Sequence, residues 1–120
     1  MGLYDAVPVP MMQPEDIVRY LRTRLPSLAH LFSDPENIEL DEPYYSCGRL
    51  AEEVLRRRND ASILESFCSV VNEMAVSREF WMREALGDLL EGLVHDEAFV
   101  TDLRPRLNAQ ALEQLEAATG

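Results

Sequence analysis

Four residues come closest to a ligand set: Glu84, Asp88, Glu91 and His95. On a helix those intervals place all four side chains on one side, and carboxylates with an imidazole there could hold a divalent cation. A di-iron bundle needs paired helices that each carry Glu-x-x-His, and no second copy of the set is present. The face therefore reads as a solvated one, and no metal or cofactor is predicted. Cys47 and Cys68 have only His30 and His95 as possible bases, none of them nearby in sequence. Both cysteines fall in apolar helical patterns and read as buried free thiols. A glycine-rich phosphate loop and a G-x-S-x-G elbow are both missing, so no catalytic residue and no enzyme is predicted.

The strongest chemical signal is charge. The stretch SDPENIELDEP, Ser33 to Pro43, holds Asp34, Glu36, Glu39, Asp41 and Glu42 and no basic residue. It has no central glycine, and Ile38 and Leu40 interrupt the acids, so it does not match a calcium loop. Tyr44 and Tyr45 follow at once, a residue type that buries much area at binding sites for little entropic cost. Across 120 residues there are 22 acids against 11 bases, every base an arginine, for a formal net charge of -11. That field disfavours nucleic acid and anionic membranes, both of which require a basic surface. It attracts a basic protein and speeds the encounter.

These residues must be carried by a single domain, because 120 residues with 47% hydrophobic content can bury a core without disulfides or metal. No segment alternates polar and apolar residues long enough for a strand. Pro14, with Glu15 and Asp16, suits a helix start, and Ile17, Val18, Leu21 and Leu25 continue it to Pro26. PSLAHLF adds one more turn. Pro43 opens a second helix with Tyr44, Cys47, Leu50, Ala51, Val54 and Leu55 inward, and Gly48 suits a close approach by a neighbour. Arg56, Arg57 and Arg58 complement that helix's negative end and suit pairing with neighbouring acids such as Glu52 and Glu53, or with carboxylates of the segment before the helix. Asp60 caps a third helix, where Ser62 and Glu65 have capping-box spacing. Ser77 caps a fourth, with Phe80, Trp81, Leu86, Leu89, Leu90 and Leu93 in the core. A short fifth helix halts near Pro105, and Asn108 caps the last. The prediction is an all-α, single-domain bundle of five to six mostly antiparallel helices over 14–120, behind an N-terminal tail of residues 1–13. That tail lacks a basic start, carries Asp5 and is broken by Pro8 and Pro10, so it is not a secretion signal and a cytoplasmic location is expected.

From Gln13 to about Ala117 the chain resembles small all-helical bacterial immunity proteins that accompany secreted polymorphic toxins. The likeness lies in RLPSLAHLF, the polar stretch after it, PYYSCGRLAEEVL, and ILESFCSVVNEMAVS followed by FWMREALGDLLEGLVHD. It is a pattern of apolar positions and helix lengths with no catalytic residues to carry over. It implies a cognate toxin as partner, neutralised by occlusion of its active site. Asp34 to Glu42 would steer the approach, and Phe32, Tyr44 or Tyr45 would anchor it. The alternatives are a helical adaptor with another protein partner, or a metal-dependent enzyme built on Glu84, Asp88, Glu91 and His95.

Overall fold

The computed structural model describes residues 16–32 and 43–119. Six helices run in order: α1 Ile17–Arg24, α2 Pro43–Arg56, α3 Ala61–Ala75, α4 Phe80–Glu91, α5 Glu97–Leu103 and α6 Ala109–Thr119. The described residues contain no strand, so the architecture is an all-α bundle. The expected helix start at Pro14 and Glu15 lies outside the described residues, as do the N-terminal tail and the acidic segment.

Each helix buries one stripe, and the stripes meet in one core. Proline 26 ends α1 as expected, and the chain tightens into a 3-10 turn over Pro26–Phe32 that buries Leu28. Helix α3 has the widest apolar face, with Ile63, Leu64, Phe67, Cys68, Val70, Val71, Met74 and Ala75 all buried. Such a width suits a helix with neighbours on several sides. It packs against α4 and α6, while α4 packs against α2, α3 and α6. Burying one Leu, Phe or Met contributes about 1.5–3 kcal/mol, so this shared core dominates stability.

Helices α2 and α4 run in the same direction. Gly92 sits against Ala51, Asp88 lies within electrostatic reach of Cys47, and Asp96 meets Arg58, so the chain numbers rise together. The descending α3 connects them. Close approach happens at Gly92, where an added Cβ would stand 3.1 Å from the Ala51 Cβ. The close contact expected at Gly48 is absent, with nothing within 4 Å of a Cβ built there. Gly48 is one residue, or about 100°, from core-facing Cys47, which turns it to solvent.

Two further expectations change at the helix starts. Asp60 is the cap of α3 and accepts the Ser62 and Ile63 N–H groups at 3.1 and 3.2 Å. Ser62 therefore sits inside the helix, and Ser62 and Glu65 form no capping box. Ser77 Oγ does accept an N–H, from Glu79 at 3.0 Å, but α4 begins only at Phe80. Met82, Ala85, Leu86, Leu89, Leu90 and Leu93 supply the core there, and Trp81 is partly buried. Phe80, expected in the core, is 65% exposed. It stands two residues, or about 200°, from Met82 and so faces the opposite way.

Candidate partner-binding surface

Of the residues expected to meet a partner, Asp34, Glu36, Glu39, Asp41 and Glu42 lie outside the described residues. Tyr44 and Tyr45 fall in the first turn of α2, and their side chains, like that of Phe32, are outside the described set. The structure does describe where that chain enters the body. Because α2 and α4 are parallel, the start of α2 lies at the end of the bundle where α4 also starts.

Glu84, Asp88 and Glu91 occupy the outer side of α4, with Glu84 and Glu91 exposed and Asp88 half-buried. His95 falls beyond the end of the helix, in the turn before α5. Among the described residues no three His, Cys, Asp or Glu side chains gather into a group that could hold a metal ion. Cys47 and Cys68 are both buried and free. Burial pushes the Cys47 thiol up to about 12, with the Asp88 charge adding to it. Burial pushes Cys68 up to about 11, opposed by Arg106. Each stays a protonated, inert thiol near neutrality.

The arginine run resolves into two self-contained contacts. Arg56 donates to one oxygen of Glu53 at 2.8 Å, and Arg57 donates to the other. Glu53 is the buried charged residue of the described core, 5% exposed, and the Arg57 hydrogen bond holds its carboxyl below the usual range against the opposing effect of burial. Glu52, another expected partner, points to solvent. Arg58 reaches instead to Asp96 and stands over the Phe99 ring. Asp96 is the N-cap of α5, and the Phe99 N–H that it accepts is the main cause of its lowered carboxyl pKa, with Arg58 second.

Two further links join distant elements. Glu73 on α3 accepts from Tyr20 at 2.7 Å and Arg24 at 2.8 Å, tying α1 down. Burial pushes the Tyr20 phenol up, and the bond to Glu73 pushes the same way. Burial also pushes Glu73 up, but the Arg24 and Tyr20 bonds outweigh it and leave its carboxyl lowered. Asn72 on α3 accepts the Asn108 N–H at 2.8 Å and donates to the Arg106 carbonyl at 3.1 Å. Asn108, the expected cap of α6, accepts from the Ala111 N–H at 2.8 Å. The caps were readable from local residue types, whereas the partners 34 to 53 residues away leave no local signal.

No described helix is long and apolar enough to cross a membrane. No protein-family model, curated protein or solved structure matches the chain.

Proposed function

We propose that this protein is an immunity protein that binds a cognate toxin with a basic contact face and blocks its active site without catalysis. The observation that carries the reading is the uneven distribution of charge along the chain. All eleven arginines and fifteen of the twenty-two acids fall in residues 16–32 and 43–119, a balance of -4. The remaining seven acids have no arginine among them, and five belong to Asp34–Glu42. Within the body, six arginines are already committed to carboxylates: Arg19, Arg24, Arg56, Arg57, Arg58 and Arg104. The surplus is thus concentrated in one short segment next to Tyr44 and Tyr45. Concentrated negative charge accelerates encounter with a basic partner, and nearby aromatic side chains supply apolar anchors.

The test is co-expression with the product of the adjacent gene, followed by purification and binding kinetics. The expected result is loss of toxicity together with a stable complex. Reversing charge at Asp34, Glu39 and Asp41 together should slow association at least severalfold and flatten its salt dependence, as rim charges act mainly on the on-rate. A neighbouring product that is harmless alone and does not bind would end the proposal. Unchanged association kinetics in the triple variant would remove the segment from the contact.

A further inference from the structure

We draw no further inference here: the strongest candidate, the exposed apolar corner of Val76 and Phe80 between α3 and α4, carries Arg78 and Arg83 balanced by Glu79 and Glu84, and nothing in the structure shows what covers it.

Discussion

Two arginine–phenylalanine pairs in this molecule have almost the same geometry and opposite surroundings. Arg58 stands 5.6 Å from the Phe99 ring centre, and Arg83 stands 5.7 Å from that of Phe80. Phe99 is 1% exposed, and Phe80 is 65% exposed. Arg58 also pairs with Asp96, whereas Arg83 donates to the Ser77 carbonyl. The first pair joins the turn after α2 to α5 with its ring in the core and its charge matched. The second leaves ring and charge facing outward. An arginine over an aromatic ring therefore says little by itself, and burial with a carboxylate partner decides whether the pair contributes to folding.

The sharpest way to break that contrast is to truncate both rings. Phe99→Ala removes a fully buried ring and should cost about 3–5 kcal/mol. Phe80→Ala should change stability by less than about 0.5 kcal/mol, as surface substitutions do. Urea unfolding of the two variants gives the comparison directly. A cost at Phe80 approaching that at Phe99 would mean that the corner belongs to the core.

The polar link between α3 and α6 tests whether matched, partly buried contacts matter elsewhere in the body. Asn72→Ala removes the acceptor of the Asn108 N–H and the donor to the Arg106 carbonyl. One bond is part-buried and the other exposed, so the expected loss is about 0.5–1.5 kcal/mol, the net range for an ordinary hydrogen bond. Wild-type stability in this variant would show that water replaces both bonds without loss.

Acid titration separates the matched end of the molecule from the exposed corner. The Glu53 carboxyl is lowered, chiefly by the Arg57 hydrogen bond, and that of Asp96 chiefly by the Phe99 N–H. A carboxyl whose pKa is lower folded than unfolded adds stability that is fully present above the unfolded value, near 4. That stability drains away as pH falls through the folded value. Glu53→Gln should therefore lower stability at pH 7 and flatten the acid limb below about pH 4, as followed by circular dichroism. Arg83→Gln should leave the acid limb unchanged. A wild-type acid limb in Glu53→Gln would remove the buried carboxylate from the acid response.

How far the sequence showed all this depends on the range of the interaction. The stripe of Ile63, Phe67, Val70, Val71 and Met74 was legible because fifteen residues repeat it at helical spacing. The Asp60 and Asn108 caps were legible because each acts within three residues of itself. Phe80 was misplaced because hydrophobicity alone carries no phase, and the phase of α4 is set by Met82 and Leu86. The Arg58–Asp96 contact spans 38 residues and follows from the parallel placement of α2 and α4, which no local pattern encodes. The acidic segment shows the converse case, since its charge is plain in the sequence while its residues lie outside those the structure describes.

The smallest expected effect carries the contrast from rings to backbone. Gly48 lies on the exposed side of α2 with nothing near an added Cβ, and Gly92 ends α4 against Ala51. Gly48→Ala should stabilise the protein by about 0.5–1 kcal/mol, because glycine in a helix interior loses more backbone freedom than alanine on folding. At Gly92 the same change places a Cβ 3.1 Å from the Ala51 Cβ, so α2 must shift or the gain is lost. Thermal denaturation should thus raise the midpoint for Gly48→Ala and not for Gly92→Ala. Equal gains at both sites would show that the parallel helices have room to separate, and that the α2–α4 contact tolerates more volume than its spacing implies.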